Sequence, residues 1–136
     1  MLEEPLIQKL TAAARQAREA AYAPYANFKV GAAVQSADGR IFTGCNVENA
    51  SFGATVCAER VAIFAAVAAG QRQIKALAVI ADTPEPVAPC GLCRQVLQEF
   101  GADCQVIMAN LTGEYRVLTM AQLLPYAFEF RRPAGS

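Results

Sequence analysis

Two short cysteine-containing segments constrain this chain more than any other feature. The first is Cys57-Ala58-Glu59-Arg60 and the second is Pro89-Cys90-Gly91-Leu92-Cys93. Each stands at the start of a segment with the pattern of a helix, so the fold must bring two helix N-termini together if the three thiols are to meet. Positive helix ends lower the pKa of nearby thiols and favour thiolates. The chain has no histidine, so a metal site here would be built from sulfur ligands.

The three thiols and one carboxyl form a set with known chemistry. A catalytic zinc keeps three protein ligands and leaves its fourth position for water. Cys57, Cys90 and Cys93 could supply those ligands, while Glu59, which is not a ligand, would carry protons. Zinc enzymes that remove an amino group from a nucleobase use this combination, and Cys57 takes the position that histidine holds in many of them. Arg60 is placed to hydrogen-bond the ligand sulfurs and offset their negative charge.

Two other interpretations of the cysteines remain open from their spacing alone. A C-x-x-C pair is also found in redox proteins and as one half of a structural zinc site. In a closed structural site the fourth ligand would be Cys45 or Cys104. Both fall within apolar strand patterns, which favours small buried hydrophobic residues. The spacing of both segments at helix starts favours the catalytic interpretation.

Composition narrows the class of protein. The 136 residues predict one domain over 1–136, with a loose tail after about residue 128. Twelve basic and twelve acidic residues cancel, which argues against a nucleic acid partner.

No run of the sequence reaches the ~18–20 apolar residues of a membrane span. The N-terminus has no signal-peptide pattern and the five cysteines are odd in number, so we expect a cytoplasmic protein. The 54% hydrophobic content indicates subunit contacts.

Hydrophobic periodicity predicts alternating helices and strands, packed as helices on a mixed sheet. We expect helices over 3–20, 55–69, 91–100 and 120–124, and strands over 28–34, 41–47, 74–81, 104–109 and 115–118.

Individual residues refine these elements. Asp38-Gly39 predicts a hairpin with a type I′ turn, and Gly31 and Gly44 predict bulges or close backbone approach. The helix over 55–69 is apolar on every face, which predicts burial all round, at the domain centre or at a subunit interface. Gly70 is expected to end it in the C′ position.

Polar residues at the end of the second strand are candidates for ligand binding. Asn46 and Glu48 are two apart, so on an extended chain they point the same way and could hold hydroxyl groups of a ligand. Phe28 begins a strand and, on its own, is more typical of core than of a stacking platform. Phe128 is similar.

The chain resembles the small, homotetrameric cytidine deaminases over about residues 6–128. The resemblance rests on four motifs and a C-terminal one: Phe28-Lys29-Val30-Gly31-Ala32-Ala33, Gly44-Cys45-Asn46-Val47-Glu48-Asn49-Ala50, Cys57-Ala58-Glu59-Arg60, Pro89-Cys90-Gly91-Leu92-Cys93-Arg94-Gln95, and Leu123-Leu124-Pro125 with Phe128.

The resemblance implies a three-layer α/β/α fold with a mixed five-stranded sheet, and hydrolysis of free cytidine and deoxycytidine. It implies one zinc per subunit on Cys57, Cys90 and Cys93, with Glu59 as proton shuttle. Substrate contacts would come from Phe28, Asn46, Val47, Glu48 and Ala58, and from Phe128 reaching into a neighbouring subunit's site.

The substrate is less constrained than the chemistry. The segment 51–55 should line the pocket, and its small residues depart from the family pattern. A related class deaminates aminonucleoside antibiotics and shares the zinc motifs, so such an antibiotic or a modified nucleoside is the alternative substrate. A non-enzymatic four-cysteine zinc module is a further alternative. The sequence does not set the preference between cytidine and deoxycytidine.

Overall fold

The computed structural model describes residues 2–130, and most of the predicted loose tail lies outside them. Its helices are α1 (Glu4–Arg18), α2 (Ala58–Ala68), α3 (Gly91–Phe100) and α4 (Met120–Leu123), and its strands are β1 (Val30–Ser36), β2 (Ile41–Cys45), β3 (Ile74–Ala81), β4 (Gln105–Asn110) and β5 (Tyr115–Thr119). A 3₁₀ turn covers Phe52–Ala54.

The five strands form one mixed sheet in the order β2-β1-β3-β4-β5. β3 pairs antiparallel with β1 and parallel with β4. The α1 helix packs its apolar side on one face of the sheet. The other face packs against α2, α3 and α4. The predicted three-layer α/β/α fold with a mixed five-stranded sheet is confirmed.

Two glycines allow helices to lie directly on the sheet. A Cβ at Gly31 would lie 1.9 Å from the carbonyl oxygen of Ala14 in α1. A Cβ at Gly44 would lie 2.5 Å from the carbonyl oxygen of Ala58 in α2. Both glycines pair regularly within the β1–β2 ladder, so they serve close approach and do not form bulges. Gly44 thereby brings the start of α2 against the sheet.

The β1–β2 hairpin is confirmed, but the predicted type I′ turn is wrong. Among residues 2–130 the left-handed φ values include that of Gly39, at 92°, and not that of Asp38. Gly39 N donates to Ser36 O, which places Ala37 and Asp38 at the centre of an ordinary turn, followed by Gly39 in the left-handed region. The Asp38 carboxylate explains this choice, since it accepts from Ser36 Oγ and from Arg40 N.

The α2 helix departs from prediction at its start and on its outer face. It begins at Ala58, not at residue 55, because Cys57 is extended and acts as the N-cap. Its end is as predicted, since Gly70 has φ 89°. Gly70 N donates to Val67 O, as in a helix C-terminal capping motif with glycine at the C′ position. Burial all round is wrong for the single chain: the side chain of Phe64 is 47% exposed.

Candidate active site

The topology brings the N-termini of α2 and α3 together on one face of the sheet. Cys57 is the N-cap residue of α2, and Cys90 is the N-cap residue of α3. Cys93 lies in the first turn of α3 and is buried. Three sulfurs therefore lie at the positive ends of two helices, where negative charge is stabilised.

The three sulfurs are close enough to share one ion. Sγ of Cys57 lies 3.8 Å from Sγ of Cys90, which lies 3.3 Å from Sγ of Cys93. All three atoms lie within 4.8 Å of one another. Zinc–sulfur bonds of about 2.3 Å at tetrahedral angles separate two sulfurs by ~3.8 Å. The donor set and its spacing therefore fit zinc.

The cluster offers three sulfurs to an ion, not four. Within residues 2–130 the cluster consists of Cys57, Cys90 and Cys93 alone. Cys104 is buried elsewhere and its thiol donates to Gln105 O. Cys45 ends β2 and is half-buried. The alternative in which Cys45 or Cys104 closes a four-cysteine site is therefore not favoured, and a position remains for a ligand from solution.

The Cys57 and Cys93 thiols shift each other's pKa even without a metal ion. The pKa of the Cys57 thiol falls to about 5, chiefly because Cys93 hydrogen-bonds it, with help from Arg60 and Cys90. The pKa of the Cys93 thiol is raised, first by that same bond to Cys57 and then by burial. One negative charge is thus held by the pair. Three thiolates need a cation among them, which is a second reason why the donor set fits zinc.

Arg60 contacts one of the three sulfurs. Its Nη2 donates to Cys57 Sγ at 3.4 Å. Its Nε is buried without a hydrogen-bond partner in the part of the chain that the structure describes. The guanidinium therefore places a fixed positive charge beside the sulfur cluster.

Glu59 is a buried carboxyl beside the cluster. Its side chain is 4% exposed. Burial raises its pKa to about 7, and the charge of Cys57 adds to that rise. A carboxyl with this pKa both accepts and releases a proton near neutral pH, which is what a proton carrier needs.

Cys57, Cys90 and Glu59 line one small cavity of about 210 Å³. This is below the usual range for drug-sized pockets, so it suits a small ring better than a polymer. The lining residues are Phe28, Val30, Asn46, Thr55, Val56, Cys57, Ala58, Glu59, Val79, Val87, Ala88 and Cys90.

Three of the expected substrate-contacting residues lie in this wall: Phe28, Asn46 and Ala58. The Asn46 side chain also shapes it. Its Oδ1 accepts from Val30 N at 2.8 Å and its Nδ2 donates to Phe28 O at 2.7 Å. Because these bonds occupy the start of the predicted strand 28–34, the ladder begins only at Val30.

The remaining expected contacts lie near the cavity or apart from it. The Glu48 carboxylate accepts from Tyr25 N at 2.8 Å and from Ala26 N, and lines a neighbouring depression. Val47 exchanges backbone hydrogen bonds with Val56 and is half-exposed. Phe128 is 70% exposed, and its carbonyl accepts from Gln95 Nε2.

Sequence analysis missed much of the apolar wall. Val87 and Ala88, from the loop before Cys90, line the cavity together with Val56 and Val79. The available signal for these two residues was their place in a proline-rich loop that directly precedes Cys90. Of the segment 51–55, Thr55 reaches the cavity and Phe52 lines the neighbouring depression.

This fold and site define a zinc-binding enzyme with one open coordination position and an adjacent acid. Residues 5–109 match the family described as the cytidine and deoxycytidylate deaminase zinc-binding region. The chain belongs to that family.

Individual relatives agree with this assignment. A cytidine deaminase of Sporosarcina psychrophila is 52% identical over 123 residues, which are 90% of each chain. The crystal structure of cytidine deaminase from Burkholderia pseudomallei superposes with a TM-score of 0.86 at 53% identity, covering 89% of this chain and 98% of that one. A blasticidin-S deaminase of Bacillus cereus is 29% identical over 107 residues, 73% of this chain and 76% of its own. The expected family and fold are confirmed.

Proposed function

We propose that the chain hydrolyses free cytidine and deoxycytidine to uridine and deoxyuridine, with release of ammonia, in cytoplasmic pyrimidine salvage. One observation carries this proposal: a cluster of three thiols lies beside a buried carboxyl at a single small cavity, which Cys57, Cys90 and Glu59 line. The names of the relatives at about half identity support the same substrate. None of the helices within residues 2–130 is long and apolar enough to cross a membrane.

Cys57, Cys90 and Cys93 would hold the zinc ion. When bound, zinc supplies Lewis acidity that lowers the pKa of water towards ~7. Arg60 stabilises the thiolate form of Cys57 and offsets the negative charge that the sulfurs bring.

Glu59 is the proton carrier. Its carboxylate accepts a proton from the attacking water and delivers it to the ring nitrogen next to the amino-bearing carbon. The same carboxyl then assists proton transfer to the leaving amino group, so that the carbon–nitrogen bond breaks and ammonia departs. Burial among apolar side chains keeps other water away from these transfers.

The cavity wall orients the nucleoside. Phe28 and the backbone at Ala58 would contact the base, while Asn46 and Glu48 would bind ribose hydroxyls and Val47 would lie along the same strand. The Glu48 carboxylate only accepts hydrogen bonds. It has more lone pairs than the bonds that it accepts from the backbone of Tyr25 and Ala26. It could therefore also accept a hydroxyl.

The contribution of Asn46 to the substrate site is tested with one isosteric variant. Asn46→Asp keeps an acceptor for Val30 N but loses the donor to Phe28 O. We expect KM for cytidine to rise about tenfold or more with a smaller change in kcat. An unchanged KM would remove Asn46 from the substrate site.

The activity itself is tested by the loss of cytidine ultraviolet absorbance with purified protein. We expect turnover, its loss on chelation and its return with added zinc. Metal analysis of single variants adds a control: Cys57→Ser should lose zinc, whereas Cys45→Ser and Cys104→Ser should keep one ion per chain. No turnover of either nucleoside by the zinc-loaded protein would refute the proposal.

An aminonucleoside antibiotic is the alternative substrate. It is not favoured, because the blasticidin-S deaminase is 29% identical to this chain whereas the cytidine deaminase of Sporosarcina psychrophila is 52% identical. Comparison of kcat/KM for cytidine, deoxycytidine and such an antibiotic decides between them. We expect the two nucleosides to exceed the antibiotic by at least about tenfold.

The chain is proposed to work as a homotetramer with shared active sites. The outer side of α2 carries an apolar stripe at helical spacing, formed by Val61, Phe64, Ala65 and Ala68. Phe64 is half-exposed there, and Phe128 lies largely in solvent. Such uncovered apolar surface is typical of subunit interfaces.

Sharing of sites is tested by mixing two variants that are impaired in different halves of the shared site. Glu59→Ala lacks the proton carrier, and Phe128→Ala lacks the ring that would enter the neighbour's site. Mixed in equal amounts after dissociation, they should recover about a quarter of wild-type activity, because a site is whole only when the Phe128→Ala variant supplies Glu59 and the Glu59→Ala variant supplies Phe128. No recovery in mixed tetramers would contradict shared sites.

A further inference from the structure

Arg94 joins two distant segments from the helix that carries two ligands. It lies in α3, one turn after Cys90. Its Nε donates to Pro89 O and its Nη1 donates to Leu123 O, each at 2.8 Å. Pro89 directly precedes the ligand Cys90, and Leu123 ends α4. One guanidinium therefore connects the ligand loop with the C-terminal part of the chain.

The next residue along α3 makes a second connection. Gln95 Nε2 donates to Phe128 O at 3.0 Å. The bonds of Arg94 and Gln95 thus lie on either side of Tyr126, which has a left-handed φ of 55°. This conformation is uncommon for a bulky residue, and the Tyr126 side chain is fully exposed. Its own packing does not hold the turn, so the flanking bonds must do so.

Phe128 depends on the same bonds. The residue is 70% exposed, so packing within this chain does not fix the position of its ring. Leu123 is buried and anchors the preceding helix. The hydrogen bonds from α3 to Leu123 O and to Phe128 O hold both ends of the backbone that leads to the ring.

We propose that Arg94 is a positioning residue: with Gln95 it fixes the segment 123–128 against the loop carrying Cys90, and so sets where Phe128 is presented. The inference rests on the proposed function, in which that ring serves a neighbouring site. Arginine suits the task because its planar fork donates in two fixed directions at once, which the single ammonium of lysine does not reproduce.

The test compares Arg94→Gln with Arg15→Gln. Arg15 is a matched control, because it also donates to a backbone carbonyl, that of Leu111, at 3.0 Å, and is not among the residues lining the cavity. In Arg94→Gln we expect KM for cytidine to rise about tenfold while kcat changes less than about threefold. In the control both should stay near wild type.

A double-variant comparison separates positioning from general stability. If Arg94 acts through Phe128, then Arg94→Gln combined with Phe128→Ala should have the kcat/KM of Phe128→Ala alone, within about twofold. Losses that multiply in the double variant would overturn the inference.

A structural readout keeps this test independent of turnover. Amide order parameters of residues 126–128 should fall from about 0.85 in the wild type to below about 0.6 in Arg94→Gln, but not in Arg15→Gln. Unchanged order would overturn the inference even if the protein deaminates cytidine. Absence of turnover in the wild type would refute the proposed function and leave this measurement valid. If Arg94→Gln does not fold, Arg94→Lys is measured instead, with the same expected direction.

Discussion

Arg60 donates from Nη2 to Sγ of Cys57 at 3.4 Å, so a permanent cation is bonded to a sulfur that faces the substrate cavity. Two residues of one helix start thereby carry opposite charges. We expect Arg60→Gln to bind zinc about 10- to 100-fold more weakly, because loss of a partner that supports a ligand has effects of that size. Release of zinc to a coloured chelator measures this.

The control for that experiment is Arg40→Gln. The Arg40 side chain pairs with Asp38 in the β1–β2 turn and lies over Phe42, so it carries the same charge elsewhere. It should release zinc as the wild type does. Equal release from Arg60→Gln and the wild type would show that the bond to Cys57 does not stabilise the metal site.

Glu59→Gln should separate chemistry from metal binding. The amide keeps the shape of the side chain but cannot carry a proton, so kcat should fall by about 10²- to 10⁴-fold or more. Zinc content should remain at one ion per chain, since the cluster consists of sulfurs. Retained turnover, measured from cytidine absorbance, would exclude Glu59 as the proton carrier.

Gly31→Ala should destabilise the fold. The new methyl group would lie 1.9 Å from Ala14 O, so α1 would have to move away from β1. We expect a loss of several kcal/mol in the free energy of unfolding, measured by denaturant titration. Gly53→Ala is the control: a Cβ there meets nothing within 4 Å, and the change should stay within about 1 kcal/mol. A change of less than about 1 kcal/mol in Gly31→Ala would show that α1 can shift away from β1 at little cost in stability.

Cys104 should make stability depend on alkaline pH. Burial raises the pKa of its thiol to about 12. The unfolded thiol ionises near ~8.5. Between these values the folded chain keeps a proton that the unfolded chain loses, so the contribution of Cys104 to stability declines as pH rises, by up to ~1.4 kcal/mol per pH unit.

Cys104→Ala removes this dependence. Urea titrations from pH 8 to pH 10 should show a smaller decline of the free energy of unfolding in the variant than in the wild type. Parallel declines would mean that the thiol ionises as readily in the folded chain as in the unfolded one.

Much of the site followed from local sequence rules. The bounds of β3 and α3 agree with prediction because a continuous apolar run and a helix ended by glycine are local signals. The three cysteines that meet in the cluster were predicted from residue type and spacing. Phe28 was not separable from core by its own pattern, since its place in the cavity depends on the side chain of Asn46, eighteen residues further along.

The parts that could not be predicted depend on contacts between distant segments. The part of the wall that Val87 and Ala88 supply follows from where the loop before Cys90 meets β4, since Val87 N donates to Ala109 O. The turn at Gly39 follows from hydrogen bonds of the Asp38 carboxylate, which compete with the type I′ geometry that the dipeptide favours. The bonds of Glu48 to the backbone of Tyr25 and Ala26 likewise join residues far apart in sequence.

Cys57 and Glu59 are separated by one residue at the start of a single helix, which Gly44 allows to rest on the sheet. They therefore move as parts of one rigid body. Small movements of the sheet or of the outer loops would displace the Cys57 sulfur and the Glu59 carboxyl together and leave the distance between them unchanged. The spacing between this sulfur and the acid is therefore set by the backbone of one helix start, whereas Cys90 and Cys93 reach the same cluster from α3.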